Sequence, residues 1–152
     1  MKAIICAVLI LLASLTSSAF GAKAGEDAAQ MRNMATHVIV GTVVQIYHRD
    51  QTTKDQHATK YVAEIRTEGI EKGEGLQNGD LVYVRYSSSR WLPTATPVPS
   101  QLGHDGLPRE GETLRIYLAR NAYDGGSGYP QDGGFNVIFP NGFQRLGQAR
   151  KP

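Results

Sequence analysis

Four side chains in one short stretch have the types and spacing to hold a metal ion. His48, Asp50, Asp55 and His57 flank a polar tip at residues 51–54. If His48 pairs with His57 across a hairpin, Asp50 faces Asp55. Residues two apart on a strand share a face, so two imidazoles and two carboxylates would converge. That donor set suits zinc, copper or nickel. The spacing matches no established ligand motif, and an exposed hairpin tip is polar for simpler reasons. A further histidine, His104, precedes Asp105 between glycines. Such a neighbour invites an acid–base reading, but adjacent side chains point apart. Ser87, Ser88 and Ser89 lack the strand–turn–helix setting that presents a nucleophilic serine. Asp124 and Asp132 lie in a segment, 124–134, with five glycines. It lacks the alternating acidic ligands of a calcium loop. No catalytic residue and no cofactor is expected, and an enzyme is not.

The aromatic and basic residues point instead to binding. Tyr83 and Arg85 alternate with Val82 and Val84, and Arg90 and Trp91 follow. Rings beside guanidinium groups suit stacking on, and hydrogen bonding to, a polar ligand. The candidate ligand-binding set is Tyr83, Arg85, Arg90, Trp91 and His104. Two of these have competing structural roles. Trp91 could fold back to plug one end of a barrel, and His104 could anchor a loop through hydrogen bonds.

The elements that must position these residues are mostly strands. Residues 26–34 read as a short helix or ordered lead-in, with Ala28, Met31 and Met34 at three-residue steps. From residue 37 the period becomes two. Residues 37–47 form a long strand dense in β-branched side chains, with Gly41 inside it. A glycine within a strand marks a bulge, a bend or a close approach, and a small barrel needs such a bend. Further strands are expected at 59–70, 81–86, 113–120 and 135–139. The connections are a hairpin loop at 49–56, a turn at 72–79, a proline-bearing loop at 87–108 and the glycine loop at 124–134. The fold class is all-β: a single five-stranded OB-like barrel following a short helix or lead-in.

Several stretches resemble netrin-like and tissue-inhibitor-of-metalloproteinase-like domains. Ala35-Thr36-His37-Val38-Ile39-Val40-Gly41-Thr42-Val43-Val44 is similar to their opening strand, which ends in Gly-x-Val. The strand from Tyr61 to Lys72-Gly73 is similar to their second, closed by a Lys-Gly turn. Gly79-Asp80-Leu81-Val82-Tyr83-Val84 resembles their third, and Gly111-Glu112-Thr113-Leu114-Arg115-Ile116-Tyr117-Leu118 the strand after their central loop. The resemblance covers roughly residues 35–120 and implies an OB-like fold in a cysteine-free relative of bacterial type. The inhibitors of that family act through an N-terminal cysteine. The expected mature chain has no cysteine, so the resemblance carries over fold and compartment but not protease inhibition.

The compartment follows from the first residues. Lys2, the apolar run at residues 4–15 and the small residues after it make a signal-peptide pattern. The run is shorter than the ~20 residues of a membrane-spanning helix. The expected layout is a signal peptide at 1–24, cleaved between 19 and 24, a barrel domain at 25–148 and a basic tail at 149–152. Cys6, the single cysteine, lies in the leader, so the domain must fold without a disulfide. At roughly 130 residues it can bury enough apolar surface unaided. Loss of Lys2 and Lys23 leaves 14 basic residues against 14 acidic, which lacks the basic footprint of a nucleic-acid binder.

The expected function is therefore a secreted or periplasmic, non-enzymatic binding module presenting the 49–56, 87–108 and 124–134 loops. Its expected partner is another extracytoplasmic protein or a glycan, with no nucleic acid and no integral membrane segment in the mature chain. The alternatives are a structural or assembly accessory of the cell envelope, and a metal-binding protein using the 48–57 hairpin. The export reading has a direct check. N-terminal sequencing of the extracytoplasmic protein should begin between Phe20 and Gly25, and intact Met1 on soluble cytoplasmic protein would contradict it.

Overall fold

The computed structural model describes residues 27–95, 103–120 and 133–147. The expected signal peptide and basic tail, and most of the glycine loop, lie outside the described residues. The described chain runs α1 (Ala28–Met34), β1 (His37–Thr52), β2 (Gln56–Lys72), β3 (Leu81–Trp91), β4 (Thr113–Arg120), β5 (Phe135–Val137) and β6 (Phe143–Arg145). It is mostly β-sheet with one short helix, and no described helix is long and apolar enough to cross a membrane.

The strands close on themselves. β1 pairs with β2, β2 with β3, β3 with β5, β5 with β4, and β4 returns to β1. The result is a ring of five strands in which β3–β5 is the one parallel pairing and the others are antiparallel. β6 adds to β4 beside β5, a sixth strand that the sequence pattern did not suggest. Pro140-Asn141-Gly142 does end β5, but it also reverses the chain tightly. Phe139 adopts φ 56°, and the Gly142 N–H bonds back to the Phe139 carbonyl at 3.3 Å. Phe143 is thereby returned to the core at 8% exposure.

Alternation explains the interior. Ala63, Ile65, Val82, Val84, Leu114, Ile116 and Leu118 are all buried within the ring, on the faces their period-two spacing assigns them. The apolar outer face of β1 has its own cover. Val38 packs with Met31 and Ala35 of the α1 segment and with Tyr117, Ala119, Ile138 and Phe139. Tyr117 thus points away from the ring yet is buried, because α1 lies over it. The helix starts at Asp27, whose Oδ1 accepts from the Gln30 N–H at 2.7 Å, a normal N-cap. It is tied down by Glu71, which bonds both Arg32 and Arg115. The Arg115 bond, outweighing the opposing effect of burial, holds the Glu71 carboxyl below its usual range.

Two glycines mark close approaches. Gly73, in the Lys-Gly turn, has φ +99°, and a Cβ there would overlap the His37 ring. That ring is buried, 3.0 Å from the Glu74 carbonyl and edge-on to Phe135. Gly41 sits where β1 is shared between β2 and β4. A Cβ at Gly41 would come 2.6 Å from Ile65 Cγ2 and 2.7 Å from the Arg66 carbonyl oxygen. The register shifts between Val40 and Gly41, so the glycine serves both the bend and the contact. Gly41→Val should destabilise the fold by about 1–3 kcal/mol through overpacking, despite valine's preference for strands. Chemical denaturation checks this, and an unchanged midpoint would mean that β1 does not approach β2 so closely.

Candidate functional site

β1 itself bulges between Val43 and Gln45, at the third register shift of its pairing with β2. Before it, Ile39 and Val43 face the core. Val44 is the extra residue, 42% exposed. After it the parity reverses: Ile46 packs on the core and Tyr47 is 46% exposed. Bulges re-aim side chains in this way. Without it, Tyr47 and Arg49 would continue the inward-facing series of Ile39 and Val43.

The bulge brings three rows of side chains together on the outer face. Tyr47 pairs with Val62, Val62 with Arg85, and Arg85 with Asn136. Arg49, Lys60 and Ser87 form the next row, and Gln45, Glu64 and Tyr83 the row on the other side. A pocket of about 420 Å³ opens here. Its walls come from Tyr47, His48 and Arg49 of β1, Lys60, Tyr61 and Val62 of β2, Arg85, Tyr86 and Ser87 of β3, and Asn136 of β5. Three cationic residues line it, and no carboxylate does among the described residues. Asn136 is 1% exposed, and its Nδ2 has no hydrogen-bond partner among the described residues. Tyr47 Oη lies 3.5 Å from Glu64 Oε2. Desolvation first, and the Glu64 carboxylate after it, push the Tyr47 hydroxyl above its usual range, so it is a neutral group at physiological pH.

Behind this face the ring is filled by aromatic contacts. Tyr61 stacks on Tyr86 at 4.8 Å and 8°, and Tyr86 meets Phe143 edge-on at 5.0 Å. Burial, then Tyr61, raises the Tyr86 hydroxyl far above its ordinary value. These rings give the pocket a rigid back wall.

The sequence-nominated residues fall in different places. Arg85 lines the pocket and Tyr83, 54% exposed, lies one row away on the same face. Trp91 ends β3 opposite Gln56. It is half-buried, outside the ring's core cluster, and its Nε1 has no partner among the described residues. By alternation it shares the face of Arg85 but is well separated from the pocket. Arg90 pairs with His57 on the opposite face. His104 is buried at 4% exposure and acts as an anchor. Its Nε2 lies 2.9 Å from the Val137 carbonyl, so that nitrogen carries the hydrogen, and its Nδ1 lies 3.2 Å from the Ser87 amide. Asp105 is exposed and bonds the Pro140 carbonyl through its backbone, so the two do not form a dyad.

The expected pairing of His48 with His57 is not formed. β1 and β2 continue through most of residues 49–56, and Thr53 and Gln56 close the turn with two mutual hydrogen bonds. That register sets His48 against Tyr61, Asp50 against Thr59 and Thr52 against His57. His57 Nε2 is 3.9 Å from Asp50 Oδ1, while Asp55 sits in the turn itself. Among the described residues no three His, Cys, Asp or Glu side chains are grouped to hold a metal ion. The 87–108 connection likewise begins as strand, through Trp91, and residues 96–102 of it lie outside the described residues.

Sequence reasoning missed Tyr47, Arg49, Lys60 and Asn136. Lys60 was visible as a polar position on the wet face of β2. The β1 residues were not, because the bulge carries no residue signature. Comparison with family models, with curated proteins and with solved structures finds no match for this chain.

Proposed function

We propose that the chain is an exported, non-enzymatic binding module and that its ring is an OB-like barrel. The observation that carries this reading is the 420 Å³ pocket on the outer face of β1, β2 and β3. Sites for small molecules are concave, of roughly 300–1,000 Å³, with aromatic walls and a few convergent polar groups. This pocket has that size and that make-up. OB-like barrels bind across the strand 2–3 face, framed by the first hairpin and the loop between strands 4 and 5. The strand order, with β3 parallel to β5, supports the same assignment. The lead-in of Lys2 and the apolar run at 4–15 supports export. A glycan or another extracytoplasmic component is then the natural partner.

The test is a titration of isotope-labelled protein with a panel of neutral and acidic mono- and disaccharides, followed by amide chemical shifts. Binding should move residues 47–49, 60–62, 85–87 and 136 together. Shifts confined to the α1 side of the ring, or none with any member of the panel, would contradict the reading.

A further inference from the structure

We infer that the pocket takes an acidic saccharide, its carboxylate or phosphate group held among Arg85, Lys60, Arg49 and the Asn136 amide, with the sugar ring against Tyr47. This rests on the binding-module reading and names the ligand class of that same site. Three independent observations carry it.

The first is charge. Arg49 and Lys60 are direct cross-strand partners, and like charges in that position are destabilising. Arg85 adds a third cation on the adjoining row. An anion placed beside Arg49 and Lys60 relieves that repulsion and gains charge-assisted hydrogen bonds. The second is Asn136. Its amide nitrogen is buried, lines the pocket and lacks an acceptor among the described residues. A buried orphan donor is costly, and an oxyanion entering the pocket brings an acceptor for it. The third is Tyr47. Its ring is exposed at the rim beside these groups, and a sugar offers it one apolar face and a polar edge. The pocket volume of about 420 Å³ suits one or two sugar rings rather than a folded partner. A single-stranded nucleic acid would also use aromatics and cations, but the near balance of acidic and basic residues in the chain favours the small anion.

Glucose, glucuronate and glucose 6-phosphate share one ring body and differ in charge. Titrated at millimolar concentrations, both anions should bind at least about tenfold more tightly than glucose. Their affinity should fall as salt is raised. Lys60→Glu, at an exposed position, sets a carboxylate opposite Arg49 and should remove most of the anion preference with the melting temperature held or raised. Asn136→Asp keeps the side-chain shape but sets a carboxylate where the ligand's would lie. It should abolish anion binding with the melting temperature held or raised. Equal binding of the three sugars would overturn the anionic assignment while leaving the binding face in place, whereas silence from the whole saccharide panel removes the face itself. Unaltered anion affinity in both variants would overturn the assigned contacts, and so would a collapse of the fold in Asn136→Asp with no effect in Lys60→Glu. A short oligothymidylate that binds more tightly than glucuronate would overturn the saccharide.

Discussion

One strand has to serve two partners, and the rest of the molecule depends on how β1 does it. Its first six residues pair with β4 on one side while five of them, from Val38 to Thr42, pair with β2 on the other. A flat strand cannot close a ring, so β1 must bend, and it bends at Gly41 where β2 approaches too closely for any side chain. The bulge at Val44 comes just after β1 parts from β4. Beyond Thr42 that edge of β1 is met by backbone bonds to Gly111 and Glu112 and by the Glu110 side chain. Ring closure and the outward turn of Tyr47 and Arg49 are thus consequences of one strand's geometry.

The regular parts of the fold were legible because alternation reports which face is wet. β4 has the bounds and the inward set Leu114, Ile116 and Leu118 that its pattern predicts, though Tyr117 on its outer face is buried under α1, and Ala63, Ile65, Val82 and Val84 lie where their spacing predicts. The Lys-Gly turn has a physical reason that the sequence concealed: the His37 ring occupies the space a side chain on Gly73 would need. What could not be read were features set by single bonds. The hairpin register depends on the mutual bonds of Thr53 and Gln56, and moving it by a few residues separates the two histidines and two aspartates that looked convergent. β6 depends on a turn at Phe139–Gly142 that composition presents as a simple stop. The site suffered most, because it lies across four strands and its most buried polar residue, Asn136, comes from a strand of three residues.

The two sides of the sheet divide the work. Inside, Tyr61, Tyr86 and Phe143 pack edge and face, and His104 ties β3 to β5 near where β3 leaves the ring. These contacts support the strands beneath the pocket, and polar groups held in place beforehand would lower the ordering cost of the proposed binding. Outside, the same strands carry cations, tyrosines and a buried amide without an acceptor among the described residues, an arrangement less favourable for stability than an apolar or neutral one. Local features that cost stability without an evident structural gain are expected at functional positions.

The Val44 bulge reverses the parity of β1 and so places Tyr47 and Arg49 on the outer face, beside the pocket. Proton–proton nuclear Overhauser contacts of the Tyr47 ring test it directly. Contacts should run from that ring to the methyl groups of Val62, its cross-strand neighbour on the outer face, while the His48 ring contacts Tyr61. Contacts from the Tyr47 ring to the core methyl groups of Ile65 or Val84 would mean that β1 alternates without interruption, and the face described here would not exist.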